Sequence, residues 1–337
     1  MDFSGLTDTP EQAELRTAVR GFLASAPENP WKRLTGELGL TALAVPESLG
    51  GADATLAEVM VAVEETGRVL APVPYLPTAL AAAILAEAGV EDFVPGLADG
   101  TLTAALALGP GVTTFSGDAD GGKLSGTVRN VLDGPEADVF LVRVAGALVA
   151  VRAADAAVTP VETLDQTRGQ ALVRFTGAPA VRVGDGDFAD RAEGLLWTAL
   201  AAESAAAAAQ CLSRCVEYLK TRVQFGRPIG EFQALKHRCA DLAAEVESAW
   251  MTAHAAVRAA LSDPEEFAIA APLAKRYCAD AFFRAAAEMI QLHGGIGFTW
   301  EHDAHRYLKR AKSTQLLHGT PAELRTLIAR RAGLLPA

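Results

Sequence analysis

Arg222-Val-Gln-Phe-Gly-Arg-Pro-Ile-Gly-Glu-Phe-Gln233 is the stretch on which the reading of this chain turns. It lies between two long runs of helical periodicity. An arginine closes the first run, a glycine turn follows, and a new helix begins at once. A guanidinium beside such a turn and a helix start is suited to grasping a phosphate. On spacing alone the stretch serves equally well as a plain interhelical turn, with Phe225 and Ile229 as core anchors.

Moving outward from this junction, the helical period covers the rest of the C-terminal half. Long helices are expected near 190–222, 231–261 and 264–293, with shorter ones near 300–316 and 320–333. Before residue 187 the texture differs. From Thr101 to Asp185 short apolar, often β-branched runs such as ADVFLVRV, ALVAVRA and ALVRFTG alternate with Gly/Asp/Pro turns, which predicts a small antiparallel barrel or sandwich. Residues 1 to about 96 return to helical patterning. Thr9 can cap a first helix with Pro10 at its first position and Gln12 completing a capping box, and Leu15, Val19, Phe22 and Leu23 form its apolar stripe. Further helices are expected at 55–70 and 77–89. The order is α, then β, then α: an α+β chain with an N-terminal helical domain (1–97), a shortened middle β domain (98–186) and a C-terminal helical domain (187–337).

Composition narrows the function classes. The 337 residues carry a formal net charge of -11, which leaves no basic excess to neutralise nucleic-acid phosphates. Cys211, Cys215, Cys239 and Cys278 form no CxxC pair, so buried free thiols in a reducing compartment are expected, and the cytoplasm with it. The opening MDFSGLTDTPEQ lacks the basic and apolar regions of a leader, and the alanine-rich run at 199–209 is broken by Glu203 and Ser204, so no membrane span is expected. His302 and His305 lie one helical turn apart without a third convincing ligand, which predicts a polar helix face and no metal. Gln291-Leu-His-Gly-Gly-Ile-Gly-Phe298 sets paired glycines where backbone amides can approach a ligand, although glycines also end helices.

Three segments together resemble the acyl-CoA dehydrogenase family over nearly the whole chain. LGLTALAVPESLGGADATLAEVMVAVEETGRVLAP is similar to the family's N-terminal helical domain with its Pro-Glu-x-x-Gly-Gly loop, RVQFGRPIGEFQALKHRCADL to its R-x-Q-F-G junction, and QLHGGIGFTWEHDAHRYLKRAKSTQLLHGTPAEL to its Q-x-x-G-G motif and final helices. The resemblance implies a helical N-domain, a middle β-barrel and a C-terminal four-helix bundle. It implies FAD, an acyl-CoA substrate desaturated between Cα and Cβ, and an electron-transferring flavoprotein as acceptor. It places Arg222, Gln224 and Phe225 at the FAD pyrophosphate and Gln291, Gly294 and Gly295 on the adenine-side loop, and adds Ile229, Gln233 and Thr320, the last retained from the catalytic motif, to the cofactor-binding set. In the family these groups reach across a subunit interface to the neighbour's flavin.

The pattern breaks at the chemistry. Where the family has Glu-Gly-Thr, this chain reads His318-Gly319-Thr320, which leaves His318 as a candidate base, an imidazole being able to titrate near neutrality. Relatives that place the glutamate on the first helix of the C-terminal domain direct attention to Glu193 and Glu203. The middle-domain signatures Thr-Glu-Pro-x-x-Gly-Ser-Asp and Trp-Ile-Thr are absent. The chain is therefore similar to the short subunits of actinobacterial heterotetrameric dehydrogenases of steroid side chains, which complete the FAD site of a longer homologue. A self-sufficient homo-oligomer using His318 or Glu203, or a non-redox acyl-CoA-binding scaffold, are the alternatives.

Overall fold

The structure is a computed structural model that describes residues 8–25, 28–109, 111–118 and 121–336; the leader reading at residues 1–7 falls outside it. Helix α1 (Pro10–Ala24) begins as expected: Thr9 accepts from the Gln12 backbone and the Gln12 side chain accepts from the Thr9 N–H. The short α2 (Pro30–Gly36) gives way to a turn at Gly39, which adopts φ 60. Helices α3 (Leu56–Arg68), α4 (Tyr75–Glu87) and the short α5 (Val94–Ala98) complete the N-terminal layer.

Among the described residues seven strands follow: β1 (Ala104–Ala107), β2 (Gly111–Gly117), β3 (Gly122–Leu132), β4 (Val139–Val144), β5 (Ala147–Arg152), β6 (Ala156–Pro160) and β7 (Gln170–Asp185). They form one curled sheet in the order β1-β4-β5-β7-β3-β2, with β6 on β7. One pairing departs from the antiparallel expectation: β1 runs parallel to β4, Ala104 opposite Val139. The chain leaves β1, makes the β2–β3 hairpin, and re-enters beside β1 in the same direction, which no tight turn permits. Leu124, Val128, Phe140, Val149, Val173 and Phe175 fill the concave side of the sheet, with Phe140 and Phe175 edge to face at 6.1 Å.

The C-terminal layer is built from α6 (Gly186–Thr221), α7 (Gln233–Ser262), α8 (Pro264–His293), α9 (Ala304–Leu316) and α10 (Pro321–Arg331). Ala201, Ala205, Ala249, Ala253, Ala256, Ala274 and Ala281 line the contact of α6, α7 and α8, small side chains that let helix axes approach closely. By length and composition α6 qualifies as membrane-spanning, but 83% of its apolar window is buried against protein, the mark of a core helix. Cys211, Cys215 and Cys278 are buried free thiols and Cys239 is half-buried.

Candidate functional site

At one end of the bundle the Arg222–Gln233 stretch forms a tight ribbon, not a core-anchored turn. Arg222 caps α6, and the two-residue strands β8 (Val223–Gln224) and β9 (Arg227–Pro228) pair across Phe225 and Gly226. Phe225 holds a left-handed φ of 54 and is 91% exposed, with its ring edge-on to Phe232 at 6.0 Å. The second glycine of the stretch fixes the fold-back: a Cβ on Gly230 would sit 2.9 Å from the Leu219 carbonyl oxygen. Ile229 is half-buried beneath the ribbon and Gln233 opens α7. The side chains of Arg222, Gln224, Gln233 and Gln291 are exposed, and none has a hydrogen-bonding or ionic partner among the described residues.

The glycine loop lies close by. His293, the last residue of α8, stacks on Tyr218 of α6 at 4.4 Å, which brings the two helix ends together. Gly294 takes φ 63, and a side chain on it or on Gly295 would meet only open space. Phe298 (82% exposed) and Trp300 (71%) extend the apolar surface beyond the loop. One end of the molecule thus presents an unpaired guanidinium, three unpaired side-chain amides, an open glycine loop and three large exposed aromatic faces.

His318 lies elsewhere, in a cleft of about 530 Å³ lined also by Leu108, Arg129, Asn130, Glu193, Trp197 and Thr320. The ring is 6% exposed with φ 51, and both ring nitrogens are buried without a hydrogen-bond partner among the described residues. Burial above all, then the positive charges of Lys275 and Arg168, pushes its pKa down to about 3. A base needs an open lone pair within reach of the proton it takes, and a basicity near the working pH. His318 presents neither. Its backbone, by contrast, is firmly held: its carbonyl accepts from the Trp197 indole at 2.7 Å, and the buried Lys275 ammonium donates to the carbonyls of Gln315 (3.2 Å) and Gly319 (2.7 Å).

Glu203 is engaged too. Its two oxygens accept from Arg310 at 2.7 Å and Arg168 at 3.0 Å, and Asp165 bridges the same guanidiniums at 3.0 and 3.3 Å. Thr167 and Thr314 accept from Arg310 and Arg168. Helix α3 passes directly over this cluster at Gly67, where a Cβ would lie 2.5 Å from Glu203 Cγ. The arrangement is a buried, charge-balanced tie between sheet, α6 and α9. Of the carboxylates weighed from sequence, Glu193 is the one that opens on the His318 cleft; burial raises its pKa, while Arg143 reaches it at 3.1 Å.

The predicted residues therefore divide. Arg222, Gln224, Phe225, Ile229, Gln233, Gln291, Gly294 and Gly295 gather at one end of α9, whereas His318 and Thr320 lie past its other end, roughly 20 Å away for thirteen helical residues. Thr320 is not gathered with the rest; its hydroxyl caps α10, bonded to the Glu323 carboxylate at 2.8 Å and accepting from the Glu323 N–H. Sequence reasoning missed Arg168, Arg310 and Lys275, whose charges look locally like solvated positions. His302 and His305 point apart, His302 against His293 at 4.4 Å and His305 against Trp300 at 4.4 Å.

Comparison with known proteins gives this geometry its context. The family models described as "Acyl-CoA dehydrogenase, N-terminal domain" and "Acyl-CoA dehydrogenase, C-terminal domain" match residues 9–101 and 198–333. Acyl-CoA dehydrogenase IpdE2 of Mycobacterium tuberculosis is 40% identical over 314 residues, covering 91% of this chain and 88% of that protein. Among solved structures, the ChsE4-ChsE5 complex from the same organism superposes with a TM-score of 0.91 at 29% identity, covering 100% of both chains. The Tcur3481-Tcur3483 steroid ACAD gives a TM-score of 0.89 at 29% identity, covering 96% of this chain and 98% of that one.

Proposed function

The chain belongs to the acyl-CoA dehydrogenase family, and from that premise we propose that it is the short subunit of a heteromeric, FAD-dependent enzyme, completing the FAD site of a longer homologue that carries the catalytic glutamate. One observation carries this reading: the ligand-ready groups are free at the bundle end, while the chain's own catalytic position holds a sealed, neutral imidazole. The two structures with paired component names supply its context.

The residues at the bundle end fit a dinucleotide. A pyrophosphate needs a fixed cation and nearby donors; Arg222 and the side-chain amides of Gln224 and Gln291 form such a set, and the loop at Gly294 and Gly295 leaves open space for the ligand to approach. When bound, FAD supplies the two-electron acceptor for oxidation of the acyl-CoA. The work of this chain is to hold the anion with Arg222, cover the cofactor with Phe225, and exclude water with the apolar rim of Phe298 and Trp300. The substrate class is an acyl-CoA thioester with a bulky acyl group, in keeping with the similarity to the Tcur3481-Tcur3483 steroid ACAD, and the acceptor is an electron-transferring flavoprotein. Buried free thiols accord with a reducing, cytoplasmic setting.

Arg222→Ala in the complex with the longer homologue is the test. Removing a charge-assisted contact weakens flavin affinity by about 10- to 100-fold, so gel-filtered complex should lose its flavin absorbance while the two subunits still co-elute. Full flavin occupancy in that variant would sink the reading. A second reading, self-sufficient catalysis, has Glu193 in its favour, a half-buried carboxylate on the His318 cleft, whereas the other carboxylate there, Glu323, is committed to the Thr320 cap of α10. This reading requires turnover by the chain alone that disappears in Glu193→Gln.

A further inference from the structure

The glycine loop is tied to the Arg222 end of α6 through two histidine rings. His293 lies between Tyr218 and His302, with ring centroids 4.4 Å from each. Its Nδ1 donates to the Met289 carbonyl at 2.7 Å. His302 Nδ1 accepts from the backbone N–H of Ala304, the first residue of α9, at 3.1 Å. That bond exists only while Nδ1 carries no proton, because a protonated imidazole is a donor at both nitrogens. The turn between the rings folds tightly onto α8: a Cβ at Gly297 would fall 2.8 Å from the Ile290 carbonyl oxygen.

We propose that the Tyr218–His293–His302 stack positions the Gly294–Gly295 loop for FAD, and that protonation of His302 releases the loop and with it the cofactor. This rests on the reading that the loop serves a partner's FAD. Protonation at Nδ1 breaks the bond to Ala304 and places a cation beside its neighbours. The charged and titratable groups around the pair are Arg214 and Tyr218 on α6, Asp303 before α9, and His305, Arg306 and Tyr307 on α9. Arg214 reaches Asp303 at 3.4 Å and lies over the Tyr307 ring at 5.2 Å, so a positive charge already occupies this corner. Burial and Arg214 lower the pKa of His302, and burial with His302 and Arg214 lowers that of His293, against a bond to Met289 that raises it. Both rings are therefore held neutral. The folded pKa values are depressed below the ordinary 6.5, so the clamp is intact above that pH and is lost as pH falls through the lowered values.

FAD retention by the intact complex is the measurement, read as flavin fluorescence released on gel filtration at about pH 7.5 and about pH 5.5. The dissociation constant should rise by about three- to tenfold at the lower pH, a single proton allowing at most about tenfold per pH unit. His302→Asn keeps a short acceptor for Ala304 that does not titrate, and should flatten this dependence. His293→Phe keeps a stacking ring and removes the second titrating site. Hydrogen exchange at residues 294–304 of the full chain, corrected for intrinsic rates, should accelerate at the lower pH in the unmodified protein. An unchanged pH dependence in His302→Asn, or unchanged exchange across the loop, overturns the proposal. If Arg222→Ala retains its flavin, the reading beneath it fails instead.

Discussion

Replacing His318 by asparagine exchanges a titratable ring for a residue that tolerates the left-handed backbone there. The native imidazole has a pKa of about 3 against an ordinary 6.5, so the fold favours its neutral form. Its contribution is fully present above the unfolded value and is lost as pH falls towards the folded one. The loss amounts to about 1.4 kcal/mol per pH unit, or about 2 kcal/mol at pH 5. Urea titrations at about pH 7.5 and about pH 5 should show this loss in the native chain and not in His318→Asn; parallel losses would mean that the ring is not buried neutral. Glu203→Gln tests the other candidate base. It leaves Arg168 and Arg310 with one carboxylate between them, and breaking such a buried network costs about 3 kcal/mol. A drop in stability of that size marks Glu203 as a structural tie, whereas lost turnover at unchanged stability would return it to the chemistry.

Helix starts show how much of the chain could be read from local rules. The Thr9/Gln12 capping box was legible because its whole geometry lies within four residues. Thr320 and Glu323 obey the same rule, although the family resemblance drew Thr320 towards the cofactor. Thr320→Ala should cost about 1 kcal/mol by thermal denaturation and leave the flavin content of the complex unchanged. The long helices of the bundle were legible from period alone, and the strand-rich middle from its β-branched runs. The parallel pairing of β1 with β4 was not, because it depends on where a distant strand comes to rest. Nor was the fate of Asp165, Arg168 and Arg310, charges that read as solvent-facing until three elements close over them. At the bundle end the motif residues were legible but their support was not: His293 and His302 meet only because α8 and α9 flank one tight turn.

On the scale of the whole molecule, the unpaired donors and the buried His318 ring lie past opposite ends of α9. A chain so built cannot bring its Arg222 group to its own His318 cleft. We predict that the chain purified alone shows no flavin absorbance, and that co-expression with the longer homologue yields a yellow complex. A flavin spectrum from the chain alone would overturn this division of labour. The exposed Phe225, Phe298 and Trp300 carry a consequence of their own. Until a partner covers them, they form the kind of apolar patch that invites aggregation and chaperone or protease attention. In the heteromer proposed above, an excess of this chain over its partner would thus be short-lived, so turnover of orphan copies would keep the two products in step without matched synthesis.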